Sequence, residues 1–269
     1  MKKNNFIRFL ICVLCVLFLT ACCCGFSFRR NNISDVKTRS YVLAFGEAAS
    51  FQMQLTDNNN IILYWSSESI RWFPFERTRP TRYDEFVERY NDLGYYRVIS
   101  LSPTCPLPPP WYISNRIVSI DVRSDTDFNA EHPAGTSLAG FVRLLSVSPM
   151  RFIESGYQET FNWHNNYPAD FLRETDEFHR HLPYLLGHPS HQNHFPISEL
   201  LSKLEPDDFR LLGTGASFPL PSRGRGWFLG FLVFDKEPDN PGTHNLTITI
   251  HRSGQGQVLS QTIEKTFGN

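Results

Sequence analysis

Trp227-Phe-Leu-Gly-Phe-Leu-Val-Phe234, then Leu246-Thr-Ile-Thr-Ile250, then Val258-Leu-Ser-Gln-Thr-Ile263 behind the turn Gly254-Gln-Gly256: this C-terminal stretch decides the fold. The first run is continuously apolar but for one glycine, and the second alternates apolar and polar with period two. Strands need that period because successive side chains point to opposite faces of a sheet, and the glycine-rich turn joins the last two runs as a hairpin would.

Working back toward the N-terminus, the same reading predicts strands over Ser40–Phe45, Ser50–Leu55 and Ile61–Trp65, an opening β-meander in which Asp57-Asn-Asn-Asn60 is the second turn. Further strands are expected at Tyr95–Ser100 and Arg116–Val122. In the latter, the adjacent Ile117 and Val118 break alternation, as burial on both faces would require. A helix is expected over Tyr83–Leu93, with Tyr83, Phe86, Val87 and Tyr90 on one face, Glu85 and Arg89 spaced i,i+4, and Gly94 as the stop. The middle third is irregular, with a helix at Pro168–Arg180 and a short one at Ser198–Leu204 that lacks a capping box. The fold class is therefore mainly β, a β-rich α+β chain of antiparallel sheets with a few helical insertions. Its ending resembles the closing strands of an immunoglobulin-like sandwich, without the paired cysteines and tryptophan that mark that fold.

At the other end, Lys2, Lys3 and Arg8 precede the thirteen-residue apolar run Phe9–Ala21. A membrane-spanning helix needs roughly 20 apolar residues, so the run reads as a secretory signal. Leu19-Thr20-Ala21-Cys22 closes it, and this motif resembles the lipobox of bacterial lipoproteins. The resemblance implies cleavage before Cys22, diacylglycerol on its sulfur and an acylated amino terminus, palmitate among the expected chains, and hence a membrane anchor. Two acyl chains already suffice for stable attachment. The expected organisation is a signal peptide at 1–21, a lipidated tether at 22–36 and a β-rich globular domain at 37–269, with a possible subdivision near 105–115. No aspartate follows Cys22 directly. By analogy with enterobacterial-type lipoproteins, this favours the outer membrane of the cell envelope.

Removing the signal takes away Lys2, Lys3 and Arg8, leaving 23 basic against 27 acidic residues, a net charge of minus 4. No basic stripe interleaved with aromatics is present, so nucleic acid is not an expected partner. Hydrophobic residues make up 41% of the chain and include 23 phenylalanines, enough to fill a large interior. Of the six cysteines, Cys12 and Cys15 fall in the signal; Cys105 sits in the stiff segment Pro103–Pro110 with no positive neighbour to activate it.

Candidate chemistry lies in three places. His179, His181, His188, His191 and His194 fall within sixteen residues. Imidazoles are good zinc ligands, and His188, His191 and His194 could converge if the loop curls, with His164 or Asp170 completing the shell. Against this, Pro189 prevents a helix there and no metalloprotease motif is present, so a solvated polar loop is the competing reading. Asp125-Thr-Asp127-Phe-Asn129-Ala-Glu131 begins like a calcium loop, but Ala130 replaces the turn glycine and Thr136 stands where the bidentate glutamate belongs. A turn whose side chains bond nearby amides fits better. The segment Asp125–Leu138, with His132-Pro-Ala-Gly-Thr-Ser137, resembles uncharacterised lipoproteins of the Bacteroidetes type, which implies an envelope location and no known activity.

Trp72 and Trp111, in loop-like contexts among the five tryptophans, are candidates for a glycan- or peptide-binding surface. Gly213-Thr-Gly-Ala-Ser217 lacks the last glycine of a nucleophile elbow, and Glu205, Asp207 and Asp208 read as a charged turn rather than a glycosidase pair. The expected role is non-enzymatic binding or scaffolding in the envelope, toward a glycan or an envelope protein and without a cofactor. The alternatives are a zinc-dependent hydrolase using the histidine loop and a structural subunit of a surface complex.

Overall fold

The computed structural model describes residues 36–42, 44–65, 70–72, 82–95, 97–99, 111–113, 116–163, 165–166, 168–173, 192–213, 217–219, 225–253 and 258–268. In chain order the strands are β1 (Val36–Thr38), β2 (Ala44–Glu47), β3 (Phe51–Leu55), β4 (Ile61–Trp65), β5 (Ile70–Trp72), β6 (Arg97–Ile99), β7 (Trp111–Ile113), β8 (Ile117–Ser124), β9 (Val142–Ser148), β10 (Phe195–Leu200), β11 (Ser217–Pro219), β12 (Arg225–Phe234), β13 (Thr243–Arg252) and β14 (Val258–Thr266). The helices are α1 (Arg82–Arg89), α2 (Met150–Glu154) and α3 (Ala169–Arg173), and a 3-10 turn at Leu201–Lys203 follows β10.

The chain is mainly β, as its periodicity predicts, and two antiparallel sheets form a sandwich. One has the order β10-β9-β12-β4-β3, with β11 added to β12; the other has the order β14-β13-β8. Between them, Phe51, Leu63, Trp65, Leu144, Trp227 and Leu232 from the first sheet meet Val122, Leu246, Ile248 and Ile250 from the second. Each such side chain contributes about 1.5–3 kcal/mol on full burial. The period-two runs do what they imply: Leu246, Ile248 and Ile250 of β13 are buried, while Thr247 and Thr249, on the other face, are half-exposed.

The larger sheet is buried on both faces along its central strands β9, β12 and β4. In β4, Ile61, Leu63 and Trp65 enter the interlayer core, and Ile62 and Tyr64 enter a second cluster with Trp163, Phe171, Phe228 and Phe231. In β12 the parity changes along the strand: Trp227 and Leu229 face the interlayer core, and so does Leu232. The cause is a bulge between Phe228 and Gly230 in the register with β4.

Four sequence expectations are corrected. The Ser198–Leu204 helix is strand β10 followed by the 3-10 turn, because Phe195–Leu200 pairs in register with Arg143–Ser148 of β9. Ser198 donates its hydroxyl to Asp170 at 2.5 Å instead of capping a helix. β8 is covered on one face only; Val118 is 36% exposed, and the broken alternation reflects a register shift between His251 and Arg252 of β13. The opening meander is limited to the β3–β4 hairpin, since β2 joins a separate sheet of order β5-β2-β7. Finally, α1 stops at Arg89 rather than Leu93. Asn91 adopts φ 51°, with Asn91 N–H donating to Glu88 O and Asp92 N–H to Val87 O, the pair of bonds that closes a helix in a Schellman motif.

The outer strand β14 is tied across to the other sheet by side chains. Gln261 Nε2 donates to Phe51 O at 2.5 Å, Asn59 Nδ2 to Thr266 O at 2.6 Å, and Lys265 Nζ to Asn59 O. Lys265 is 5% exposed and its ammonium lies over the rings of Phe234 and Phe267. These contacts cover an edge that would otherwise offer unpaired backbone groups to another chain.

Candidate functional site

The small sheet β5-β2-β7 carries both tryptophans singled out in the sequence. Trp72 stands opposite Phe45 in the antiparallel β2–β5 pair, and Trp111 stands opposite Ala44 in the parallel β2–β7 pair. The two positions lie on the strands either side of β2 but one register position out of step, so the period of two assigns them to opposite faces of the sheet. Phe45 anchors this sheet on α1: its ring lies 5.2 Å from Phe86, 5.6 Å from Tyr83 and 5.7 Å from Tyr90. The apolar face read from the helix period is the face that holds the sheet in place.

Beside the sheet is a chain of buried polar groups. Tyr112, next to Trp111, brings its hydroxyl within 2.5 Å of His194 Nε2, and the two rings stack at 6.2 Å. His194 is 2% exposed, and its carbonyl accepts from Trp163 Nε1 at 3.1 Å. Burial is the main cause that raises the Tyr112 hydroxyl well above its ordinary pKa, with further contributions from Tyr41 and Asp92, so it stays protonated. Asp92, fully buried, accepts from Tyr41 N–H and Val42 N–H, both at 2.8 Å, and from the Tyr157 hydroxyl at 3.0 Å. Tyr83 and Ser40 hydroxyls both donate to Val42 O. The backbone of residues 40–42 is thus held by side chains, which is why it does not continue a strand.

Of the three candidate zinc ligands, His194 is placed in the interior with Nε2 engaged by Tyr112; His188 and His191 lie outside the described residues, as do His164, His179, His181 and the lipidation site Cys22. Among the described residues no group of three or more histidines, cysteines, aspartates or glutamates is arranged to hold a metal.

The Asp125–Glu131 segment is a turn. Asp125 accepts from Asn245 N–H at 2.8 Å and from its Nδ2 at 2.7 Å, and these bonds lower its pKa; Asp127 accepts from Ala134 N–H; Asn129 Oδ1 accepts from the amides of Glu131 and His132. The acids after Pro206 diverge. Asp207 pairs with Arg116 at 2.9 Å, and Asp208 accepts from Glu205 N–H at 2.8 Å.

One constellation escaped the sequence reading. Ser124 Oγ lies 2.8 Å and Thr126 Oγ1 2.7 Å from His244 Nδ1. Ser124 and His244 are separated by 120 positions, and no local motif signals the meeting. A serine beside an imidazole is the start of a nucleophile–base pair. Here Ser124 is 4% exposed, its Oγ already accepts from Thr126 N–H, and His244 is packed edge-on against Phe267. The cluster fastens the turn after β8 to β13. No protein-family model matches the chain, no curated protein is similar to it in sequence, and no solved structure is similar to it in fold.

Proposed function

We propose that the chain is a cell-envelope lipoprotein of the Bacteroidetes type, anchored through lipid on Cys22, whose body has a non-enzymatic binding or scaffolding role at the outer membrane. The anchor is supported by the lipobox Leu19–Cys22 behind a thirteen-residue apolar run. The binding role is carried by one observation: Trp72 and Trp111 stand on the two strands that flank β2. Indole rings stack on sugar faces and supply a large contact area at low entropic cost, so an envelope glycan is the ligand class that these two positions, one assigned to either face of the sheet, each suit best.

Co-sedimentation of the mature full-length protein with purified peptidoglycan sacculi tests the reading. The unsubstituted protein should pellet with sacculi, and Trp72→Ala or Trp111→Ala should weaken binding about tenfold with an unchanged circular dichroism spectrum, the loss expected for about 1.4 kcal/mol of stacking. Binding that both variants retain in full, or no binding by the unsubstituted protein, would remove sacculus recognition from the account.

A further inference from the structure

Leu93, 54% exposed, is the most exposed large hydrophobic residue among those described. A lone exposed leucine carries no message. Its company does. The next residue but one is Tyr95, half-buried, with its ring 5.1 Å from that of Tyr157, also half-buried. Tyr41 and Phe152 back this pair from the interior, with Tyr95 lying 5.4 Å from the former and 5.9 Å from the latter. The surface is fixed in shape by two residues in the left-handed region, Gly94 at φ 111° and Tyr157 at φ 66°.

This patch also lies beside the first described strand. Arg39 O accepts from Gly94 N–H at 2.8 Å and from Tyr95 N–H at 3.1 Å, and β1 begins three residues before Arg39, at Val36. From Cys22 to Val36 the chain can reach roughly 50 Å at most, at about 3.5 Å per residue, so a patch beside β1 lies within tether reach of the surface that holds the lipid.

We infer that Leu93, Tyr95 and Tyr157 form a membrane-facing surface that rests on the headgroup interface of the bilayer carrying the anchor. The inference depends on the lipid at Cys22 proposed above. Tyrosine rings favour that interface, Tyr157 contributing only its half-buried ring because its hydroxyl is held by the buried Asp92, and the exposed Arg39 beside them suits anionic headgroups. The outer face of the β13–β14 hairpin offers the contrary chemistry, cross-strand hydroxyl pairs such as Thr247 with Thr262 at 3.0 Å and Thr249 with Ser260 at 3.3 Å, and it should face water.

The test uses the mature acylated protein in vesicles of phosphatidylethanolamine and phosphatidylglycerol, with or without brominated acyl chains, which quench indole emission on contact. Leu93→Trp and, as the water-facing control, Val258→Trp replace exposed apolar residues and should leave the fold intact. The expected result is loss of the emission added by Leu93→Trp in brominated vesicles and no loss for Val258→Trp. Equal quenching of both, or of neither, in a sample whose mass shows diacylglycerol on Cys22 would overturn the membrane-facing patch and leave the anchor standing. A mass showing no lipid on Cys22 would overturn both.

Discussion

The Tyr157 hydroxyl donates to Asp92 Oδ1 at 3.0 Å across 65 positions of sequence, and the same carboxylate receives the amides of Tyr41 and Val42. One fully buried side chain therefore joins the exit of α1, the segment leading into β2 and the turn after α2.

Replacing Asp92 with alanine leaves two buried N–H donors facing a void. Each costs about 1–3 kcal/mol, so Asp92→Ala should lose roughly 3 kcal/mol or more, read as a lower urea midpoint. Tyr157→Phe should lose about 1 kcal/mol, since only one donor to the carboxylate disappears. Equal stability of the Asp92 variant and the parent would show that this carboxylate does not hold the three segments.

Alkaline pH should unfold the protein through its tyrosines. Tyr112 and Tyr90 are raised above the ordinary value of 10.0 chiefly by burial, and Tyr157 is raised by burial and by the Asp92 charge beside it. A raised folded pKa means that the stabilisation is complete below the unfolded value and is lost as pH climbs above it. Phenolate absorbance and circular dichroism should therefore change together above pH 10. Tyr112→Phe should move that transition to higher pH, and an unfolding pH unchanged by this substitution would contradict the placement of that ring.

How much of this was legible in the sequence depends on range. Leu246–Ile250 announced β13 because alternation is local and every second residue is buried. The Schellman close at Asn91 was not read, because Gly94 is the stronger textual stop and the motif depends on Asn91 tolerating positive φ. β9 and β10 are illegible for a different reason: in Phe195–Leu200, Pro196, Ser198 and Glu199 leave no clear apolar period, Ser198 onward reads as a helix, and the segment is made a strand by its partner, about fifty residues away. The bulge at Gly230 left no trace in the pattern, since every neighbour is apolar. At the site, Trp72 and Trp111 have a loop-like sequence context, yet both lie in strands, and their pairing with β2 at adjacent register positions assigns them to opposite faces of the sheet.

Gly230 sits at the bulge of the central strand, where it packs closely on β9. A Cβ there would lie 2.8 Å from Leu144 Cδ1 and 3.0 Å from Leu145 O, and the carbonyl cannot yield without disturbing β9. Gly230→Ala should cost about 1–3 kcal/mol by overpacking. Gly213→Ala should cost more, because φ there is 95° and the new methyl would collide with the Phe228 carbonyl. Thermal melts of both variants check the order, and the reverse ranking would contradict the packing described.

Zinc should not be retained. His194 is 2% exposed with Nε2 engaged by Tyr112, so a site shared with His188 and His191 would have to draw on its other ring nitrogen inside the protein. Elemental mass spectrometry of the mature protein, purified without a polyhistidine tag or metal resin and then dialysed, should find far less than one zinc per chain. Near-stoichiometric zinc would return the hydrolase reading to the front.

The lipid anchor is the claim on which location, tether and membrane-facing surface all depend, and the intact mass of the protein recovered from cell membranes tests it most directly. The account expects a chain beginning at Cys22 and carrying diacylglycerol plus an amide-linked acyl group, with Cys22→Ala leaving an unprocessed, unlipidated precursor. A chain of unmodified mass, with Cys22 free or residues 1–21 retained, would contradict it.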